Sequence, residues 1–377
     1  MKLKIEILVV LFIAYVVMAF SDGIGVMAAR LDMGDAVSAL VYPWFALLPI
    51  LAAKLCGKTG NCKAVAISLA TALPACVLLY FGATRSFLVA IGFAFVGISN
   101  VLLQTTLPAW IAELYGVGRL SGVIMAGLSV KTAMAISLPF AIVALATYGN
   151  WKMVFIFFAV VTVLSIFLAL RIDSDNGKNS LPSTAPTISL GALITLLKDH
   201  TTILATLALP VAIVADIAFN ISVPTTVTRR FAGDDVSIGI AYAVLFGVKL
   251  LVMLIGSMCF VKRGVKPYIL PSVSAAVAGT VIMLASGTFA GYLVGVALFA
   301  FGYANVYGFV FEAAVQRHQD AVPSVAALLT MFVSGGALAS PLVCAVSPYG
   351  LRSSDALVLV FTVALAVLLV MMRRKMV

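Results

Sequence analysis

Charge is what this chain has least of. Only 10% of its 377 residues are Asp, Glu, Lys or Arg, against 63% hydrophobic residues. A soluble domain carries roughly 25% charged residues. This chain cannot clothe a water-facing surface, and its mean hydropathy of +1.18 puts it in a bilayer. Histidine is nearly missing: the two, His200 and His318, fall at predicted loop edges and make no metal cluster. The five cysteines are scattered, odd in number and form no CxxC pair, which excludes a disulfide framework and a cysteine metal site. They read as small packing residues. There is no P-loop, GxSxG, HExxH or dinucleotide fingerprint after a strand. A chain without a P-loop is not the ATPase of a primary pump, and no catalytic set or cofactor is implied.

Long polar stretches are also lacking, with one exception. Hydropathy gives twelve candidate helices, at 5–29, 36–55, 63–83, 86–114, 121–147, 151–171, 201–226, 236–260, 267–287, 290–314, 321–346 and 354–372. Between the sixth and seventh lies the Ser-, Asn-, Pro- and Gly-rich segment 171–200, with a short interfacial helix expected at 188–198. The expected organisation is a six-helix bundle over 1–171, a cytoplasmic linker over 172–200 and a second six-helix bundle over 201–377. Lys2 and Lys4 precede the first apolar run, but the run extends to spanning length through Ala29, so an uncleaved first helix is expected. With the N-terminus inside, sixteen Lys and Arg residues fall on the inner side and six on the outer. By the positive-inside rule both termini are then cytoplasmic. The net charge of +10 is explained without a nucleic-acid partner.

The two halves repeat each other. The loop GKTGNCK after the second helix and the loop VKRGVK after the eighth place Gly60 and Gly264 204 residues apart. Gly97-x-x-Asn100 and Gly302-x-x-Asn305 are 205 apart, and Pro139 and Pro341 are 202 apart. Three matches in one order at nearly one offset point to a parallel duplication of six spans. The fold class is therefore an all-α membrane protein of twelve transmembrane helices in two pseudo-symmetric bundles.

Ionisable groups at membrane depth cost roughly 2.5–3.5 kcal/mol on insertion scales and persist where they face a cavity or a partner. Four stand out: Asp22 in the first helix, Lys131 in the fifth, Asp216 in the seventh and Lys249 in the eighth. They read either as fixed ion pairs, such as Asp22 with Lys131, or as a switch in which an aspartate takes up and releases a proton while a lysine tunes it. Asn100, Gln104, Asn220 and Asn305 offer both donors and acceptors, which suits a ligand rich in hydroxyls. Tyr42, Trp44, Tyr242, Tyr303, Tyr307 and Phe309 are open to two readings, stacking on a sugar ring or packing. Glu113 and Glu312 sit near inner helix ends.

Several stretches resemble a known family. GNWKMVFIFF at 149–158 is similar to the start of the sixth helix in the major facilitator superfamily. The loops 57–63 and 261–266 resemble its D-R-x-G-R-K gating loop, with Gly57 and Val261 where Asp is usual and with Lys58, Gly60, Lys63, Lys262, Gly264 and Lys266 retained. SDGIG, GISNVLLQTTLPAW, DIAFNISVPTT, GYANVYGFVFEAAVQR and SGGALASP look like the fucose permease-like branch, the fucose–galactose–hexose:proton symporters and their Bacteroides-type relatives. The resemblance implies the major facilitator fold, with Asp22 as proton carrier, Asp216 as the helix 7 acid, Lys249 as the helix 8 base and Asn305 as the helix 10 amide. The family's helix 4 acid falls at Gln104, which cannot titrate, and Pro108-Ala109 replaces an expected Asn-Pro.

The expected function is secondary transport: proton-coupled symport of a sugar or similar polyhydroxylated solute by alternating access. The chain is expected to be a monomer in a bacterial inner membrane. A drug or metabolite exporter and an organic-anion carrier using Lys131 and Lys249 are the alternatives. Against export, the fifth helix has Leu138-Pro139 without the glycines of the antiporter motif.

Overall fold

The computed structural model describes residues 2–22, 43–82, 85–176, 190–338 and 351–376. Every regular element among them is helical. In chain order these are α1 (Lys2–Asp22), α2 (Trp44–Thr59), α3 (Asn61–Ala70), α4 (Ala72–Phe81), α5 (Ser86–Tyr115), α6 (Val117–Thr147), α7 (Met153–Asn176) and α8 (Leu190–Leu196). There follow α9 (His200–Phe231), α10 (Asp235–Arg263), α11 (Lys266–Ala285), α12 (Phe289–Tyr303), α13 (Val306–Arg317), α14 (Val322–Leu338) and α15 (Leu351–Lys375).

All twelve predicted segments contain helix. Among the described residues nine helical stretches are long and apolar enough to cross a membrane, two of them the pairs α3–α4 and α12–α13. The other three segments hold α1, α2 and α14, each of which adjoins residues outside the described set. Pro341, one member of the repeat, lies outside it too. The short helix expected at 188–198 is α8, seven residues or about two turns long.

Local chemistry explains the boundaries. Pro74 lacks the N–H that would bond to the Ala70 carbonyl, and the third predicted span breaks at Thr71 into α3 and α4. Asp199 and Asp234 start α9 and α10 as N-caps: Asp199 Oδ2 accepts from the Thr202 amide at 2.9 Å, and Asp234 Oδ1 from the Ser237 amide at 2.9 Å. Lys262 and Arg263 close α10, and Arg373, Arg374 and Lys375 close α15, where cations offset the helix dipole.

The chain forms two compact units by its contacts. The first comprises Met1–Gly116, Val130–Leu193 and Asp320–Met331; the second comprises Val117–Ser129, Ile194–Gln319 and Phe332–Val377. In the first, α5 packs on α1, α2, α3 and α4, and α7 packs on α1, α3 and α4. Its core holds Phe20, Phe93, Phe155 and Phe158, with Phe20 stacked on Phe158 at 4.5 Å between ring centroids. In the second, α11 packs on α12 and α15, and α9 on α10, α13 and α15. Its core stacks Phe219 on Phe299 at 4.8 Å. Large apolar side chains such as Leu51, Phe87, Phe140, Phe167 and Met258 lie exposed along the spans. Water would not tolerate such a surface, and lipid tails match it.

Candidate functional site

The second unit holds a charge pair at membrane depth. Lys249, on α10, is buried, and its Nζ donates to Asp216 Oδ1 on α9 at 2.5 Å. The lysine side chain is 6% exposed and the aspartate 33%. The aspartate is therefore the more accessible partner of the pair. Two rings complete the lysine's surroundings: Nζ lies 4.8 Å from the Tyr303 centroid and 5.6 Å from that of Phe246. A cation over a ring face is attracted by the ring's quadrupole, more strongly where water is excluded. Tyr303 is itself fixed, because its hydroxyl donates to the Ala212 carbonyl at 3.0 Å.

Two of the four predicted amides, Asn220 and Asn305, lie in the same unit as this pair. Asn220 lies one turn beyond Asp216, donates Nδ2–H to the Asp216 carbonyl at 2.7 Å, and through its own carbonyl accepts the Tyr242 hydroxyl at 2.8 Å. Asn305 sits where the tenth span breaks between α12 and α13. It is 5% exposed, and its Oδ1 is buried without a hydrogen-bond partner among the described residues. Gly256 makes room for it, since a Cβ there would stand 2.6 Å from Asn305 Oδ1. An orphaned buried acceptor costs about 1–3 kcal/mol, and broken helices in transporters mark the places where backbone and side chains meet a ligand.

The first unit holds the remaining predicted groups. Asn100 is buried on α5 and accepts from Gln104 Nε2 at 3.3 Å, one turn on. Lys131 is half-buried on α6. Asp22 is the last residue of α1; its side chain, and with it the expected pairing to Lys131, lies outside the described residues, as does Tyr42.

The two loops at 57–63 and 261–266 share one geometry. Gly60 and Gly264 both take positive φ, 84° and 64°, and both donate N–H to the carbonyl four residues earlier, Cys56 and Phe260. Only glycine enters that conformation without strain. Sequence reasoning missed what holds these loops. Asn61 Nδ2 donates to Glu113 Oε2 at 2.8 Å. In the second unit, Glu312 Oε1 accepts from the Val265 amide at 3.2 Å and from Gln316 Nε2 at 3.2 Å, and Oε2 accepts from the Ser121 hydroxyl. Lys266 Nζ reaches the Met376 carbonyl at 2.6 Å, fixing the end of α15. The signal was present: the loops lack their Asp at 57 and 261, and two acids stand near the same helix ends.

No group of three metal-ligating side chains occurs among the described residues. The Major Facilitator Superfamily family profile matches residues 7–341. Among solved structures, the chain is similar to the E. coli fucose:proton symporter, at 13% identity with a TM-score of 0.79 over 97% of this chain and 98% of that one. It is similar to a proton:xylose symporter bound to 6-bromo-6-deoxy-D-glucose, at 13% identity and TM-score 0.69 over 96% and 94% of the two chains. It is also similar to a bacterial homologue of the iron transporter ferroportin in an outward-facing state, at 13% identity and TM-score 0.75 over 98% and 100%. No curated protein sequence matches it.

Proposed function

Since the chain belongs to the major facilitator superfamily, a family of membrane transporters, we propose that it carries a sugar or similar polyhydroxylated solute inward together with a proton. Residues 1–171 and 201–377 act as two bundles that alternate access, and the loops at 57–63 and 261–266 gate the cytoplasmic side. The chain works as a monomer in a bacterial inner membrane with both termini in the cytoplasm. Asp22 and Asp216 are the proton-coupling acids, Lys131 and Lys249 their charge partners, and Asn100, Gln104, Asn220 and Asn305 the groups that bind substrate.

The observation that carries this reading is the asymmetry of the Asp216–Lys249 pair. The acid is one-third exposed and engages one oxygen, while the base is buried under two rings. A solute entering would meet a carboxylate acceptor and amide groups, which is what hydroxyls require. A proton arriving there would neutralise the acid and release the lysine. The likeness to the fucose and xylose symporters, at 13% identity, concerns the fold and leaves the solute to the site's chemistry.

A second reading, an organic-anion carrier, draws on the same lysine: with Asp216 protonated, the Lys249 ammonium seeks another anion. Uptake into proteoliposomes separates the two. A panel of sugars, polyols and organic acids is offered with and without an inward proton gradient. Sugar accumulation that follows the gradient is the expected result. Accumulation that ignores the gradient removes proton coupling, and movement of anions alone selects the second reading.

A further inference from the structure

The first unit contains a pocket that the transport reading does not use. It occupies about 450 Å³ between the end of α4 and the turn that enters α7, and is lined by Tyr80, Phe81, Gly149, Asn150, Trp151 and Lys152. These residues stand where two apolar spans end, Asn61–Phe81 and Met153–Ile172. That is the level of the lipid headgroups on the face that the basic-residue bias puts outside. The pocket's chemistry is divided. Lys152 supplies the one charge in its wall and has no ion-pair partner among the described residues. Asn150 and Tyr80 add an amide and a hydroxyl. Trp151 is anchored edge-on to Phe155, with centroids 5.6 Å apart. At the rim, Phe81 is 75% exposed and the neighbouring Tyr148 is 86% exposed.

We propose that this pocket binds the phosphate headgroup of an anionic phospholipid in the outer leaflet. Lys152 pairs with the phosphate, Asn150 and Tyr80 bond to the headgroup oxygens, and Phe81 and Tyr148 lie along the start of the acyl chains. A dissolved anion would use the lysine and leave the exposed rings idle. A lipid uses both, as interfacial aromatic and basic side chains do at membrane surfaces. The volume suits a headgroup rather than a single ion.

The test is native mass spectrometry of the full chain, delipidated in detergent and titrated with phosphatidylglycerol. One lipid should remain bound in preference to phosphatidylcholine. Lys152→Gln should weaken that adduct about fivefold, the effect of one basic group near a charged surface. Phe81→Ala should weaken it too, and Lys54→Gln, an exposed lysine on α2, should leave it unchanged. Equal retention by wild type and Lys152→Gln, equal binding of phosphatidylcholine, or displacement by glycerol phosphate at the lipid's own concentration each overturns the proposal.

Discussion

Asp216 is the anionic partner of Lys249 among the described residues, and the lysine is buried. Asp216→Asn strands that cation. Removing one partner of a buried pair costs about 3–5 kcal/mol; with Asp216 one-third exposed, the loss should be nearer about 2 kcal/mol, since solvent screens the pair. Thermal denaturation in detergent should show the drop. The double variant Asp216→Asn, Lys249→Met should recover stability without recovering gradient-driven uptake; recovered uptake would reduce the pair to packing. Asn305 makes a separate prediction. Gly256→Ala would push its side chain out of place, as a Cβ has no room beside Oδ1. Uptake should show an increase in KM of about tenfold, the worth of one lost hydrogen bond of about 1.4 kcal/mol, with folding retained. The sequence marks Asp216 and Lys249 as costly residues, because charge in an apolar run needs no structure to be noticed. It does not pair them: the contact depends on how α9 and α10 are rotated, which hydropathy leaves free. Nor does it reveal the break at Asn305, where no proline announces it.

At the scale of elements, the two loops carry the clearest correspondence between halves. Their glycines were legible because a positive φ selects for glycine. Their fastening was not, because Glu312 reaches Val265 across 47 residues and Ser121 across 191. Glu312→Ala removes a carboxylate that accepts three bonds. Hydrogen bonds to a charged group contribute about 1.5–3 kcal/mol each, so amide exchange at 261–266 should accelerate by at least about tenfold, measured by hydrogen–deuterium exchange. Unchanged exchange would mean that the loop is held elsewhere. The helix caps give a pH prediction. Burial raises the Asp199 carboxyl, but the Thr202 amide and hydroxyl, with His318 and Arg317 nearby, outweigh it and hold it below its ordinary value. The Ser237 amide and hydroxyl do the same for Asp234. A lowered folded value means stability that is complete above the unfolded carboxylate range, about pH 4, and is lost as pH falls through the lowered value. Asp199→Asn keeps a capping side chain that does not titrate. Its melting temperature should fall less steeply than wild type on acidification below about pH 4; parallel curves would assign the acid sensitivity to other groups.

For the whole molecule, apolar runs of spanning length are the strongest signal a sequence can carry, since a bilayer forces every backbone group into an internal hydrogen bond. That is why helix falls in all twelve predicted segments and why nine helical stretches among the described residues have spanning length and composition. Finer divisions were less legible. Contacts group Val117–Ser129 with the second unit and the rest of α6 with the first, a partition within one helix that hydropathy cannot see. At this scale the coupling proposal predicts that Asp22→Asn abolishes accumulation against a gradient while leaving exchange of preloaded solute largely intact. Loss of both would make Asp22 a structural partner instead. The Asp216–Lys249 pair also has an electrical consequence. With both groups ionised the pair sums to zero, and a membrane potential exerts no net force on it. A proton on Asp216 leaves one positive charge, worth about 2.3 kcal/mol per 100 mV if it traverses the whole field. On the coupling proposal the loaded carrier is then the voltage-sensitive form and the empty carrier is indifferent. Uptake of a neutral solute should generate current, while the return step should run at the same rate at any potential.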